Sequence, residues 1–142
     1  VRYSRKKVPL QLDGKAASST NPATWASYAR VRGSKRKGFV LGEGIACLDL
    51  DKCVDEAGEL TLWARKVLRQ VPGTYVEVSP SGEGLHVWGR GRIEPGRRVQ
   101  FAGGVVEAYS SGRYITVTGQ VWQGAPSVLG DLQPFLDRLA AL

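Results

Sequence analysis

The stretch Ile45-Ala46-Cys47-Leu48-Asp49-Leu50-Asp51 is apolar until it ends in two carboxylates one residue apart. Read as a strand, it alternates faces, so Asp49 and Asp51 point the same way. Their Cα atoms would stand roughly 6.5 to 7 Å apart at the rise of an extended chain. Like charges on one face repel and lose hydration unless a cation lies between them. Carboxylates suit hard divalent ions such as Mg²⁺ and Mn²⁺. The plainer alternative is a strand end opening into solvent, where acidic residues do no harm. The pair alone leaves both readings open.

A chain of 142 residues fits a single domain and can bury a core. No apolar run approaches the roughly 18 residues of a membrane span. The basic start is followed by no apolar stretch, so no signal peptide is visible. The chain begins at Val1 and has no methionine, which leads us to expect a piece of a longer protein. Its net charge of +7 is uneven. Residues 1–38 hold ten Lys or Arg and one acid, and the remainder holds ten basic and twelve acidic residues. A basic excess on one segment points to a polyanion such as nucleic acid, with a solvated arm as the alternative. The two cysteines, Cys47 and Cys53, match no zinc spacing and fit an intracellular, reducing setting. Cys47 is expected on the strand face opposite Asp49, as a small core residue.

Along the chain, Lys6, Lys7 and Lys15 lie close to the turn signal Asp13-Gly14. Asn21 and Pro22 predict a helix start, with Trp25, Tyr28 and Ala29 inward and an end by Gly33. Arg30 to Lys37 reads as a basic loop. Phe39-Val40-Leu41 and Ile45 to Asp51 read as strands joined by Gly42-Glu43-Gly44. Leu60, Trp63, Ala64, Val67, Leu68 and Val71 repeat at helical spacing, and Pro72-Gly73 stops that helix. Strands are predicted at 74–79, 84–88, 97–101, 105–109 and 114–118. Gly103-Gly104 and Ser111-Gly112 are expected as hairpin turns among the last three. A final helix should begin near Leu132, capped by Asp131, with Leu132, Phe135, Leu136 and Leu139 inward. The fold class is α/β, a mixed and largely antiparallel sheet flanked by helices.

Three further clusters could carry chemistry. Ser79-Pro80-Ser81-Gly82-Glu83-Gly84-Leu85-His86 is a glycine- and serine-rich turn closing on the chain's one histidine. Such a turn offers hydroxyls and free N–H groups to phosphate oxygens, although Ser-Gly turns are also common as plain hairpins. Glu107 is a lone acid in the apolar run Val105-Val106-Glu107-Ala108-Tyr109. Buried, it needs a metal, an arginine or water to meet it. Arg113 opens the stretch Arg113 to Gly119, expected antiparallel to the strand of Glu107. There its guanidinium could fork a phosphate, or lie on the surface at a hairpin.

Taken in order, these motifs resemble the primase-polymerase domain of the archaeo-eukaryotic primase superfamily, in the branch of phage and plasmid replication proteins. The acid-x-acid pair is matched by Asp49-Leu50-Asp51, the serine/glycine turn closing on histidine by Ser79 to His86, and the later acid by Glu107. The stretches Lys7-Val8-Pro9 through Gly14 to Pro22 and Trp25, and Arg113 to Gly119, also look like this branch. The resemblance implies an RRM-like half with an N-terminal α/β module, a single catalytic domain over 1–142, and a nucleotidyltransferase of the DNA polymerase or primase kind. It implies Asp49, Asp51 and Glu107 as catalytic ligands of two Mg²⁺ or Mn²⁺ ions. It places Ser79, Ser81, Gly82, Gly84, His86 and Arg113 on the incoming NTP or dNTP. Lys7, Lys15, Lys35, Arg36 and Lys37 would track single-stranded DNA template and primer. A helical bundle and a helicase are the expected neighbours in a longer protein, within the cytoplasm of a bacterial host and without a membrane partner. Two other functions remain for the same residues: a nucleotide- or single-stranded-DNA-binding module of limited catalysis, and a metal-dependent nuclease.

Overall fold

The computed structural model describes residues 1–4 and 7–142, so Lys6 lies outside the described residues. The chain forms ten strands and three α-helices among those residues, in two sheets rather than the one expected. β4 (Ile45–Leu50) is the centre of the six-stranded sheet. It pairs antiparallel with β6 (Leu85–Arg90) on one side and β8 (Gly104–Tyr109) on the other. β7 (Arg97–Phe101) lies outside β8. β5 (Val76–Val78) and the short parallel β10 (Gly130–Asp131) share the outer edge of β6. The smaller sheet is β2 (Pro9–Leu10), β1 (Arg2–Tyr3), β3 (Lys37–Val40) and β9 (Tyr114–Val117), in that order.

Alternation along β4 sets the layers. Ala46, Leu48 and Leu50 face one way, into a core with Leu85, Val87, Val106 and Ala108. Over that face lie α2 (Leu62–Gln70), through Ala64 and Val67, and α3 (Gln133–Ala140), through Phe135, Leu136 and Leu139. The apolar rhythm expected from Leu60 to Val71 joins this core throughout, though Leu60 precedes the helix and bridges Val54. Each fully buried leucine contributes about 1.5–3 kcal/mol of transfer free energy. Asp131 accepts from the Gln133 N–H at 2.9 Å, but the N-cap of α3 is Leu132, so the expected cap sits one residue ahead of the capping position. Among the described residues, no helix is long and apolar enough to cross a membrane.

The other face of β4 carries Ile45, Cys47 and Asp49. Cys47 therefore shares a face with Asp49, contrary to the expectation, because residues two apart in a strand point the same way. It is buried nonetheless, in a second cluster with Trp88, Tyr109, Leu41 and Ile115 where the two sheets meet.

Two further expectations need correction. β9 pairs with β3, register Phe39 to Ile115, and not with β8. Ser111-Gly112 is thus a corner between sheets, while the β7–β8 hairpin turns at Ala102-Gly103, both with left-handed backbone. Ile115 explains the switch, since its buried side chain completes the cluster between the sheets. The single helix expected from Pro22 is instead a 3-10 turn, Pro22–Thr24, followed by the one-turn α1 (Tyr28–Val31). Asn21 does cap the turn, accepting from the Ala23 N–H. Trp25 then takes an extended backbone, its indole N–H donating to the Ser18 carbonyl at 2.6 Å, which breaks the helical run. Tyr28, expected inward, is exposed, and Val31 is the buried residue of α1.

Candidate active site

Strand register assembles a row of charges across the larger sheet. Asp49 of β4 stands opposite His86 of β6 and opposite Glu107 of β8. Glu77 of β5 stands opposite His86, and Arg98 of β7 opposite Glu107. Directly opposed residues share a face, so the order across the sheet is Glu77, His86, Asp49, Glu107, Arg98. The row lies two residues along from Cys47, Trp88 and Tyr109, just beyond the apolar contact of the two sheets.

Within the row, His86 is buried between two acids. Its Nδ1 is 3.4 Å from Glu77 Oε2, and its Nε2 is 3.8 Å from Asp49 Oδ1. Asp49 and Glu107 are like charges on adjacent strands, a pairing that destabilises a sheet. Burial raises the Asp49 carboxyl above the ordinary carboxylate range, His86 draws it down, Glu107 and Asp51 push it up, and Lys7 draws it down. Glu107 is met by the Tyr109 hydroxyl, which donates at 3.0 Å, and by Arg98 at 4.0 Å. Arg113 lies over the Tyr109 ring, 3.9 Å from its centre. It is exposed and reaches the acid row through that tyrosine, not along a strand paired with β8.

Asp51 is one residue past the end of β4, in a turn, exposed, with Oδ1 accepting from the Lys52 N–H. It stays within the electrostatic reach of Asp49. The serine turn is seated against the same strand end. The Ser79 N–H donates to the Gly84 carbonyl, and the Gly82 N–H to the Ser79 carbonyl. The two hydroxyls of Ser79 and Ser81 are 3.1 Å apart. Gly82 has the left-handed backbone that favours glycine, φ +79°. The Glu83 carbonyl accepts from the N–H groups of Cys53 and Val54, fastening the turn to the chain leaving β4.

Among the described residues, no three His, Cys, Asp or Glu side chains converge as a metal cage. Asp49 and Glu107 are side by side, with Asp51 turned to its own backbone. The donor set nonetheless fits a hard cation, being carboxylate oxygens held opposite one another on adjacent strands.

The basic residues divide. Lys7 reaches the site electrostatically. Lys15 is exposed in the Asp13 turn, its N–H donating to Asp13. Lys35 and Arg36 line a separate cleft with Arg2 and Tyr3, and the Lys37 ammonium donates to the Ser34 carbonyl.

Glu77 escaped the sequence reading. It is fully buried, accepts from three donors and faces His86 Nδ1. The Tyr75 hydroxyl and the Gly119 N–H reach Oε1 at 3.0 and 3.1 Å; the Thr118 N–H reaches Oε2 at 3.2 Å, beside His86. Burial alone would raise its carboxyl, but these hydrogen bonds prevail and hold it below the ordinary range. The Tyr75 phenol is pushed up to about 12 by burial and by that carboxylate. The available signal was Val76-Glu77-Val78, an acid in an apolar strand, the same signal that marked Glu107.

A largely antiparallel sheet thus carries one acid on its central strand, another just past the end of that strand, and a serine-rich turn and histidine beside them. Residues 3–133 match the family described as "Bifunctional DNA primase/polymerase, N-terminal", and the chain belongs to this Prim-Pol family. It is also similar to the "DNA Primase-polymerase" of Nitratiruptor phage NrS-1, 38% identical over 135 residues, which cover 86% of this chain and 19% of that protein. The chain thus spans about a fifth of the length of that relative.

Proposed function

We propose that this chain is the catalytic core of a DNA primase-polymerase, transferring a nucleotidyl group from an NTP or dNTP to a primer 3′-hydroxyl under the direction of a single-stranded DNA template. The observation that carries the reading is the register of β4, which puts Asp49 between Glu107 and His86 on one face. Asp49, Asp51 and Glu107 would hold Mg²⁺ or Mn²⁺. When bound, two such ions supply the charge that activates the attacking hydroxyl and steadies the departing pyrophosphate. On the other side of Asp49, His86 and the 79–84 turn take the triphosphate, with backbone N–H groups and hydroxyls as donors. Arg113, above Tyr109, adds a planar cation at the rim. Lys7 draws the Asp49 carboxyl down and is a candidate to meet phosphate; Lys15, Lys35, Arg36 and Lys37 are candidates for template contact farther out. If the chain belongs to a longer protein, a helical bundle and a helicase are the proposed neighbours, and a phage-infected bacterial cytoplasm is the proposed setting.

Primer extension tests this. With a primed template, labelled dNTPs and Mn²⁺, incorporation is expected. Shortening of the primer instead would favour a nuclease, and DNA binding with neither outcome would favour a binding module. His86→Ala is expected to weaken dNTP binding about tenfold or more while leaving DNA affinity within about twofold, since a charge-assisted contact of this type is worth about 1.5–3 kcal/mol. Titrations showing equal loss for both ligands would remove His86 from the triphosphate site.

A further inference from the structure

We propose that Glu77 is a positioning residue for His86, holding its imidazole by the Nδ1–H so that Nε2, the atom that donates when the ring carries a second proton, is turned toward Asp49 and the ligand. The proposal rests on the triphosphate reading for its purpose, and on geometry for its content. Glu77 and His86 are directly opposed in the β5–β6 ladder. The Glu77 carboxylate cannot swing, because Tyr75, Gly119 and Thr118 hold both oxygens. An ionised carboxylate only accepts hydrogen bonds, so the ring nitrogen facing it must donate. That assigns the tautomer, since the proton on one imidazole nitrogen is set by the partner of the other. Trp88, edge-on to the imidazole with ring centres 6.4 Å apart, lies along the same strand face.

The carboxylate also explains how the site is built across two segments. Thr118 and Gly119 lie in the chain leaving β9 of the smaller sheet, and their N–H groups end on the residue that orients the histidine of the larger one. The Val78 carbonyl accepts from the Thr118 hydroxyl, and the Gln120 carbonyl accepts from the Val78 N–H, so this segment runs along β5. The chain leaving the smaller sheet is thus joined to His86 through Glu77, whose Oε2 lies 3.4 Å from Nδ1.

His86 is the one histidine in the chain, so a two-bond proton–nitrogen correlation spectrum of nitrogen-labelled protein reads it without assignment. At a pH of about 9, above the ordinary titration range of imidazole, the wild type is expected to show the Nδ1–H form. Glu77→Gln keeps the shape but can turn an NH₂ toward the ring, and is expected to shift the spectrum toward the Nε2–H form. In extension assays the same variant should raise the dNTP KM about tenfold and leave kcat and DNA affinity within about twofold. An Nε2–H form in the wild type overturns the proposal, so a variant that fails to fold does not shelter it. An Nδ1–H form retained in Glu77→Gln overturns it as well. If the tautomer responds as expected but neither Glu77→Gln nor His86→Ala moves the dNTP KM, the hold of Glu77 on the ring stands and the triphosphate reading of His86 falls.

Discussion

Asp49→Asn is expected to abolish nucleotide incorporation while raising the melting temperature. The two effects have one cause. Asp49 is a partly buried carboxylate with Glu107 across one strand boundary and Asp51 two residues on. Asparagine keeps the volume and removes the like charge, relieving about 1 kcal/mol and lifting the midpoint by roughly 3–5 °C. Because the folded Asp49 holds its proton more tightly than the unfolded chain does, the native state binds more protons as the group titrates. Stability therefore falls as pH rises from the ordinary aspartate value of 3.8 through the raised folded value. The variant should lose this fall, so its gain should be greatest above that window and vanish below it. Incorporation should drop about 10³-fold or more, since a lost carboxylate ligand disables the shared centre rather than one contact. Thermal melts across acid to neutral pH, paired with extension assays, check both halves. A melting temperature that falls at neutral pH, with activity merely halved, would make Asp49 a structural residue.

The same pairing shows what a single sequence can reveal. Asp49, His86 and Glu107 each stood out locally, as an acid ending an apolar run, a histidine after a glycine-rich turn and an acid inside an apolar strand. Their convergence is a matter of register between β4, β6 and β8, strands separated by tens of residues. No local pattern encodes which residue faces which. The family resemblance supplied that grouping, and the ladders supply its geometry. The helices over the core were legible because α2 and α3 each bury a stripe at helical spacing. The smaller sheet was not, because β1 and β2 are two residues each and are held by pairing rather than by a pattern.

Two turns make the point more sharply. Ala102-Gly103 and Ser111-Gly112 look alike in composition, yet the first closes a hairpin and the second carries the chain into another sheet. What differs is the destination of the next strand. Ile115 is buried among Leu41, Cys47, Trp88 and Tyr109, which only tertiary packing assembles. Arg113 consequently lies over the Tyr109 ring, a placement the expected hairpin did not contain. Glu77 shows the converse. Its signal was as plain as that of Glu107, but two of its three donors come from a segment about forty residues on, which no local pattern ties to an acid at this position.

Gly84→Ala is expected to damage the site more than a surface glycine change of the same kind. A Cβ at Gly84 would stand 2.8 Å from the Leu50 carbonyl oxygen and 2.9 Å from Ser79 Oγ. The serine hydroxyl can rotate, but the carbonyl belongs to the central strand and cannot yield cheaply. Its neighbour Asp51 is close too, its Cα 3.5 Å from the same point. The strain should cost about 2 kcal/mol, or roughly 6–10 °C in melting temperature. Relief must come from moving the 79–84 turn away from the end of β4, which separates the serines from Asp51 and pulls on Leu85 and His86 at the start of β6. We expect dNTP KM to rise by about tenfold or more at temperatures where the variant is still folded. Gly58→Ala is the control. Gly58 also has a left-handed backbone, φ +78°, but nothing lies within 4 Å of its would-be Cβ. It should cost about 1–2 kcal/mol from backbone strain alone and leave dNTP KM unchanged. Equal effects of the two substitutions on KM would show that the turn does not need its close seat against β4 to bind nucleotide.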